Sequence, residues 1–359
     1  MEEAKQEVLK FSVVESNNVK IPEYEENTNT KTYVYYGADN NFPAFINLLY
    51  KESATIRAII DGSVNYVCGN GIDVPDEAAK WRESINRRGD TIEDLVQQTG
   101  TDFYKFRGFA IQVIYNGLGA ISELYALDFA RCRVSPDGKK IYYAKKWGPW
   151  TGKYDVYDAF DKSTVNPKNP TQIFYFKDGA RTCYPMPFWE GAFRDGLAEI
   201  AASKYVLNNL ANGLAAKTVI TLPNTSGVLT EDEKKAVEKS IKQRWTGPDA
   251  DSSFFLYWKN EEGEDLKVDS IQTQDESEKF SRIKASAREN IFTAFRATPN
   301  LFGLQNESKG FSKEEYIECF ALYQRTQIQP IQKKIERALK KVLGAEIKIL
   351  PFNLDQYQQ

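Results

Sequence analysis

The residue types that could carry out chemistry are few in this chain and widely scattered. The 359 residues include no histidine, which excludes Ser-His-Asp and Cys-His catalysis and any histidine metal ligand. The cysteines are Cys68, Cys132, Cys183 and Cys319. They form no CxxC pair, so the sequence indicates neither a zinc site nor a thioredoxin-like site, and free thiols in a reducing cytoplasm are expected. We predict no catalytic residue, no metal and no cofactor.

Glycine-rich phosphate-binding motifs are also missing from the sequence. It contains no GxxxxGK[ST] segment, so the chain is not a P-loop ATPase. The GNG at residues 69–71 follows an apolar run but has no third glycine, which favours a tight turn over a dinucleotide site. A hydrolase could use two carboxylates alone, but no feature selects one pair among the 50 acidic residues. A carboxylate-based hydrolase stays an alternative.

Charge and hydropathy limit the partners. The net charge of -3 argues against a protein that holds DNA tightly by neutralising phosphates, but not against one that DNA slides past. No apolar run approaches the ~20 residues that span a bilayer. The N-terminus is acidic and lacks the apolar segment of a secretory signal, so we expect no membrane association.

The hydrophobic pattern predicts long helices around a β-rich block and a small α/β insert. A helix is predicted over 76–100, and period-two alternation predicts strands between 103 and 176. Long helices are predicted over 191–216 and 275–297, with the insert, 217–272, between them. The helix over 76–100 has as its expected inward residues Trp81, Ile85, Ile92, Leu95 and Val96.

A proline separates the second long helix from a polar loop. Pro299 ends the helix because its ring restricts the preceding residue. Gly303 and Gly310 bracket a polar segment that has little surface to bury, so low local stability is expected there. Helical periodicity resumes at Tyr316, and a kink is expected near Pro330. The last helix carries a basic cluster, for which a solvated face is favoured over a DNA contact: Arg325, Lys333, Lys334, Arg337, Lys340 and Lys341.

Two longer segments of the chain each carry a recognisable motif. One is the segment ENIFTAFRATPNLFGLQNESKGFSKEEYIECFALYQRTQIQPIQKKIERAL, which has a P-x-L-F-G turn and an I-x-P-x-x-x-x-I-E ending. The other is YYGADNNFPAFINLLYKESATIRAIIDGSVNYVCGNGI, with a Y-G-x-D-N-x-x-P turn and then S-x-x-x-x-A-I-I-x-G. In sequence, order and spacing, these two motifs resemble those of tailed-bacteriophage portal proteins of the short type.

The resemblance implies an α+β portal fold in which subunits form a cyclic ring. A helical crown, as in larger portals, is not expected after the last helix. The implied segments are an N-terminal arm (1–32), a wing of helices and a β-rich block (33–190), a stem helix (191–216), an α/β clip (217–272), a second stem helix (273–298), a tunnel loop (299–313), a long wing helix (314–345) and a C-terminal tail (346–359).

The resemblance also implies a function and partners. The ring, a dodecamer, is expected to form the DNA channel at one capsid vertex for genome packaging, head–tail joining and DNA ejection. The expected partners are double-stranded DNA, the terminase motor, the major capsid protein and a head–tail adaptor. The expected location is the virion, and the host cytoplasm during assembly. Another head–tail adaptor or minor virion assembly protein is the alternative.

The resemblance assigns two sets of residues to the tunnel loop. The residues expected to face DNA are Leu304, Gln305, Asn306, Glu307, Ser308 and Lys309. The residues expected to anchor the loop are Pro299, Leu301, Phe302 and Gly303.

Overall fold

The computed structural model describes residues 21–22, 24–26, 32–148, 153–165, 167–179, 183–211, 218–224, 254–260, 276–304 and 313–352. The α-helices in these ranges are α1 (Phe42–Glu52), α2 (Ala54–Cys68), α3 (Ile92–Phe106), α4 (Phe193–Ala211), α5 (Glu276–Phe295), α6 (Lys313–Tyr323) and α7 (Gln329–Leu343). The strands are β1 (Ile72–Asp73), β2 (Gly108–Tyr115), β3 (Ile121–Leu127), β4 (Cys132–Val134), β5 (Lys140–Tyr143), β6 (Asp155–Ala159), β7 (Thr171–Lys177), β8 (Thr218–Asn224), β9 (Phe254–Asn260) and β10 (Lys348–Ile349).

The chain divides into two compact units. The first comprises Met1–Leu48, Val74–Met186 and Ala338–Glu346, and the second comprises Leu49–Asp73, Pro187–Arg337 and Ile347–Gln359. The first unit carries a six-stranded sheet in the order β3-β2-β7-β6-β5-β4. All its pairs are antiparallel except β6 with β7. The predicted β-rich block is therefore present in the first unit.

Helix α3 covers this sheet and begins at a capping box. Thr91 accepts the N–H of Asp94 through its hydroxyl, and the Asp94 carboxylate accepts the N–H of Thr91 in return. The helix ends at Arg107, whose φ of 63° is left-handed. Because α3 continues to Phe106, the predicted start of the strands at residue 103 is wrong, and the first strand of the block begins at Gly108.

The single helix predicted over 76–100 is also wrong in its middle. A short 3₁₀ helix spans Asp76–Trp81, and α3 begins only at Ile92. Between them the Asn86 side chain accepts the N–H of Arg88 at 2.9 Å, which folds the chain into a turn. The predicted inward side chains are nevertheless all buried: Trp81, Ile85, Ile92, Leu95 and Val96.

The first unit buries an arginine. Arg133 is 1% exposed, and its guanidinium lies over the rings of Tyr36 and Trp147, 5.6 and 4.8 Å from their centroids. Burial lowers the pKa of Arg133. The described part of the chain offers it no carboxylate ion pair. Instead, the guanidinium donates hydrogen bonds to the backbone carbonyls of Asn40 (2.9 Å), Ala130 (2.9 Å) and Cys132 (2.7 Å). It also donates to the side-chain oxygen of Asn40.

Some residues of the predicted N-terminal arm pack against the rest of the first unit. The Glu26 carboxylate accepts the N–H groups of Cys183 and Tyr184 at 3.0 and 2.9 Å. The Tyr24 ring meets Phe42 edge-on at 5.2 Å. Residues 1–20 lie outside the described residues, so the arm over 1–32 stays a prediction.

The Asp102 carboxyl makes the stability of the first unit pH-dependent. Its side chain is 14% exposed, and burial raises its pKa to about 7. The Lys105 ammonium, 3.9 Å away, and the N–H of Phe129 oppose this shift, whereas the charge of Asp128 adds to it. The pKa of Asp102 is higher in the folded protein than its unfolded value of 3.8. Protonation of Asp102 therefore stabilises the fold, and this contribution is fully present below pH 3.8. This stabilisation is lost as pH rises through 7.

Asp102→Asn is therefore expected to flatten the pH dependence of unfolding. Across the window between the two pKa values, the wild type should lose about 1.4 kcal/mol of unfolding free energy for each pH unit from this group. The asparagine variant keeps an acceptor for Phe129 but has no proton to lose. Urea unfolding at pH 5 and pH 7.5 measures the difference. An equal slope in both proteins would contradict the assignment.

The second unit carries the long helices and two small sheets. Strands β8 and β9 pair in parallel, with Thr218 opposite Phe254, and β1 pairs antiparallel with β10. The strands β8 and β9 were both predicted, as part of the clip. The predicted clip helix near 230–245 and the third clip strand near 265–271 lie outside the described residues. Among the described residues, no helix has the length and apolar character to cross a membrane, and no group of three metal-binding side chains comes together.

Candidate functional site: the root of the predicted tunnel loop

The proline turn after α5 is a defined structure. Helix α5 ends at Phe295, and Arg296 follows with a left-handed φ of 54°. A 3₁₀ turn spans Pro299–Phe302, and its proline supplies the fixed φ of a first helical position. Gly303 closes the turn with φ 79°, donating its N–H to the carbonyl of Pro299. A glycine suits this left-handed position because it has no Cβ.

Helix α2 provides the seat for Phe302. A Cβ added at Gly62 would lie 2.8 Å from Cε1 of the Phe302 ring, so only glycine leaves room for the ring at this distance. The ring is also bounded by Phe292, Tyr66 and Tyr323, with centroids 5.8, 6.2 and 5.9 Å away. Gly62 is the last residue of the S-x-x-x-x-A-I-I-x-G motif and Phe302 belongs to the P-x-L-F-G turn, so the two motifs contact each other.

Tyr66 fixes the backbone of the same turn. It lies one helical turn after Gly62, and its hydroxyl donates to the carbonyl of Leu301 at 3.0 Å. Burial raises the pKa of Tyr66, and the neighbouring Tyr316 adds to the rise. The phenol therefore remains protonated as a donor at neutral pH. Gly62 and Tyr66 together hold both the side chain and the backbone of the turn.

The last helix attaches to the adjacent face of α2. The hydroxyls of Ser63 and Tyr323 are 2.8 Å apart, and the Gln332 amide donates to the carbonyl of Val67 at 3.0 Å. Residues 62, 63, 66 and 67 follow helical spacing, so α2 presents one surface to the proline turn and to the last helix. The two ends of the predicted loop are thus held by the same helix.

The N-terminal end of α2 is hydrogen-bonded to α4, the first predicted stem helix. Ser53 caps α2 by accepting the N–H of Ile56 at 3.2 Å, and its hydroxyl donates to the Glu199 carboxylate of α4. The Thr55 hydroxyl donates to the same carboxylate at 2.8 Å. Close packing accompanies these bonds, since a Cβ at Gly196 would lie 2.7 Å from Cδ1 of Ile56.

Glu199→Gln is expected to lower the free energy of unfolding by about 1–2 kcal/mol, because the amide oxygen can still accept one of these two hydroxyl hydrogen bonds but the NH₂ group cannot accept the other. The matched control is Glu52→Gln, which breaks the exposed ion pair with Lys204 (2.6 Å) and should cost less than about 1 kcal/mol. Chemical denaturation of the two variants side by side measures both effects. Equal losses would mean that the Glu199 bonds contribute no more than a surface pair.

The two predicted stem helices lie antiparallel to each other. The Asn290 amide donates to Asp195 at 2.8 Å, and the rings of Tyr205 and Phe280 stack at 4.1 Å toward the other end. Trp189, fully buried, stacks on Phe295 at 5.1 Å where the pair begins. The small residues predicted to keep α4 slim differ in exposure, since Ala202 is buried and Ala201 is exposed. Residues 212–216 of the predicted stem helix lie outside the described residues.

The structure places half of the predicted loop residues. Leu301 is buried, Phe302 and Leu304 are half-buried, and Pro299 and Gly303 are exposed. The remaining residues expected to face DNA, Gln305, Asn306, Glu307, Ser308 and Lys309, lie outside the described residues. Gly62 and Tyr66 were not assigned a role from sequence. A glycine in the middle of an apolar helix was the available signal, because it costs helix stability unless something packs against it.

The predicted basic cluster lies mostly on a solvated face. Lys334 is half-buried and the others are exposed: Arg325, Lys333, Arg337, Lys340 and Lys341. Lys340 pairs with Glu346 at 3.2 Å.

Solved structures with a similar fold come from gene transfer agent particles. A chain from the virion of a native gene transfer agent particle matches with a TM-score of 0.53 and 19% identity, over 88% of this chain and 85% of that one. A chain from the neck of a native gene transfer agent particle, computed with C12 symmetry, matches with a TM-score of 0.52 and 17% identity, over 87% and 84%. The empty-particle neck, computed with C6 symmetry, gives 0.53 and 19% over 87% and 85%. These matches establish the fold.

The family is established by sequence. The search among curated proteins found no match. The family model described as "Phage portal protein", however, matches residues 85–359, a range that contains the proline turn, both predicted stem helices and the last helix. The recognition made from the two motifs is therefore confirmed, and the chain belongs to the phage portal protein family.

Proposed function

We propose that this chain assembles into a closed ring, a dodecamer, that surrounds the DNA channel at the portal vertex of a phage capsid. The observation that carries the proposal is the seat on α2, where Gly62 packs against Phe302 and Tyr66 binds the Leu301 carbonyl. A loop that meets moving DNA needs a fixed root, and this turn is held by hydrogen bonds and ring contacts. The neck chain with C12 symmetry has the same fold, which supports the ring.

In this proposal residues 304–309 face the DNA. Duplex DNA carries one negative charge per ~1.7 Å of its axis, so strongly basic side chains in the channel would hold it in place. Gln305 and Asn306 are uncharged, and Glu307 and Lys309 carry opposite charges. The loop therefore offers no net attraction for phosphates. This fits a channel through which DNA enters during packaging and leaves during ejection.

The chain supplies a conduit, and a terminase motor supplies the energy. The sequence contains no P-loop motif, so ATP hydrolysis is assigned to the separate terminase. The clip, 217–272, is proposed to dock the terminase during packaging and the head–tail adaptor afterwards. The wing is proposed to contact the major capsid protein. No enzymatic activity is part of the proposal.

Photo-cross-linking in packaged particles tests the position of the loop. A photoreactive amino acid is placed at Gln305 or Asn306, and a matched variant carries it at Lys333 on the exposed basic face. Ultraviolet light should attach DNA to the loop positions and leave position 333 unlabelled. Labelling at position 333 alone would overturn the loop assignment and favour the basic face as the DNA contact.

Alanine substitution tests the function of the same loop. Gln305→Ala, Asn306→Ala and Lys309→Ala, combined, should leave ring assembly unchanged, because these side chains belong to the loop and not to its root. The amount of DNA packaged or retained per particle should change. Particles with normal DNA content and normal retention would contradict a role for the loop in DNA passage.

A further inference from the structure

The last helix contains a π-helical turn where a kink was predicted. The turn spans Gln324–Ile328, between α6 and α7, and the N–H of Gln329 donates to the carbonyl of Gln324, five residues earlier. An α-helix would make this bond four residues apart. The π turn therefore holds one residue more than a regular helix between the same two ends, and such turns occur often at functional sites.

The first residue of this turn, Gln324, has a buried side-chain amide without hydrogen-bond partners. Gln324 is 6% exposed, and neither its amide nitrogen nor its amide oxygen has a hydrogen-bond partner among the described residues. A buried amide without partners destabilises the fold, because it loses its hydrogen bonds to water and forms none in the protein. On the same helix, Gln332 shows the usual solution by donating to the Val67 carbonyl.

Pro330 makes the helix here easy to rearrange. It has no N–H, so it leaves one carbonyl without its helical donor, that of Arg325 in a π turn or that of Thr326 in an α turn. The Thr326 hydroxyl donates to the Leu322 carbonyl at 2.7 Å, which adds a further local bond in the present form. Because the missing donor is common to both forms, neither has a large advantage in backbone hydrogen bonds.

We infer that α6 can occupy two registers on α2, with the π turn as the element that switches between them. If the extra residue returns to a regular α-helix while α7 stays in place, each residue of α6 moves to the site of its predecessor. The shift is about 1.5 Å along the axis and about 100° around it. Gln324 then takes the place of Tyr323, 2.8 Å from the Ser63 hydroxyl in the present register, and its amide gains partners.

Each register has one favourable feature and one unfavourable feature, which involve the burial of Tyr323 and the pairing of the Gln324 amide. In the present register Phe320 and Tyr323 are buried against Tyr66, while the Gln324 amide has no hydrogen-bond partner within the part of the chain that the structure describes. In the shifted register Gln324 is paired, but Tyr323 moves to the site of Leu322, which is 65% exposed. Because these two contributions oppose each other, the two registers can be close in free energy and α6 can populate both. If the loop before α6 lies in the channel, the shift moves the loop's end, and this last consequence rests on the proposed function.

A native cysteine reports the register directly. Cys319 is half-buried now and would take the exposed site of Glu318 in the shifted register. The test measures the rate at which N-ethylmaleimide labels Cys319 by peptide mass spectrometry, with Cys183 of the other unit as the reference. Gln324→Leu removes the unmet amide and should slow labelling of Cys319 at least about threefold. Pro330→Ala removes the ring that clashes with the carbonyl four residues earlier in an α-helix, so it favours the regular helix and should speed labelling by a similar factor.

The same measurement can overturn the inference. If both variants fold and the Cys319-to-Cys183 labelling ratio stays at the wild-type value in each, α6 has one register and the π turn is only a response to the proline. A Gln324→Leu protein that labels faster at Cys319 would also contradict it. Gln324→Met, which is unbranched and of similar length, replaces the leucine variant if that protein does not fold. The experiment needs no DNA or motor, so its outcome is independent of the channel proposal.

Discussion

Replacing Gly62 by valine is expected to lower the free energy of unfolding of the second unit by about 2–3 kcal/mol, because the added side chain overpacks the seat of Phe302. A Cβ at this position already lies within 2.8 Å of the ring, and Phe292 and Tyr323 limit where the ring can move. The proline turn should then detach from α2. Urea unfolding measures the loss, and hydrogen exchange at residues 299–304 should rise with it.

A double-mutant cycle separates this clash from the helix propensity of the new residue. Gly62→Ala gains up to about 1 kcal/mol of helix propensity but meets the same ring. Adding Phe302→Leu removes the ring atoms that the Cβ would meet. Gly62→Ala should therefore lower the free energy of unfolding less in the Phe302→Leu protein than in the wild type, or even raise it. Additive effects of the two substitutions would show that Gly62 and Phe302 do not pack together as described.

Arg133→Met is expected to lower the free energy of unfolding of the first unit by about 3–5 kcal/mol, because it leaves several buried carbonyl oxygens without a donor. The methionine fills part of the space but donates no hydrogen bond. The carbonyl oxygens of Asn40, Ala130 and Cys132, which Arg133 now pairs at 2.7–2.9 Å, would stay buried without a donor. Thermal and urea unfolding measure the loss.

The control for this prediction is Arg131→Met, two residues earlier. Arg131 is 44% exposed and pairs with Asp128 at 3.0 Å, so its loss should cost less than about 1 kcal/mol. Arg133→Lys tests the geometry, because a lysine ammonium cannot reach several carbonyls in the planar arrangement of a guanidinium. If Arg133→Met and Arg131→Met are equally stable, the carbonyl contacts of the buried arginine contribute little.

The proline turn could be predicted from sequence because its causes are local. Pro299 restricts the residue before it, and Gly303 permits a left-handed backbone, so both ends of the turn are determined within a few residues. The partners of the turn could not be predicted in the same way. Tyr66 and Leu301 are 235 residues apart in sequence, and no periodicity connects positions so distant.

Other failures of prediction have local physical reasons. The helix over 76–100 had the right apolar spacing, and its inward residues are buried, but the Asn86 side chain offers the backbone a turn in competition with the helix. The kink near Pro330 was expected, whereas the extra residue of the π turn has no signature in apolar spacing. Arg133 was not identified because a charged residue in a strand normally indicates a solvated face, and its carbonyl partners come together only in the folded unit.

The family could be recognised because its two motifs are also structural partners. Gly62 in one motif contacts Phe302 in the other. The residue types in each motif therefore depend on packing against the other motif. The family model that matches residues 85–359 confirms that recognition. The segment boundaries and the DNA-facing residues stay predictions.

Electron microscopy of the purified protein tests the central claim most directly. Images should be recorded over a range of protein concentrations and salt, because an isolated subunit can stay monomeric when dilute. The account predicts closed rings with a central hole, and class averages along the axis with twelve repeated subunits as in the C12 neck. Only monomers, dimers or open filaments under every condition would contradict the assignment of this chain as a ring that surrounds DNA.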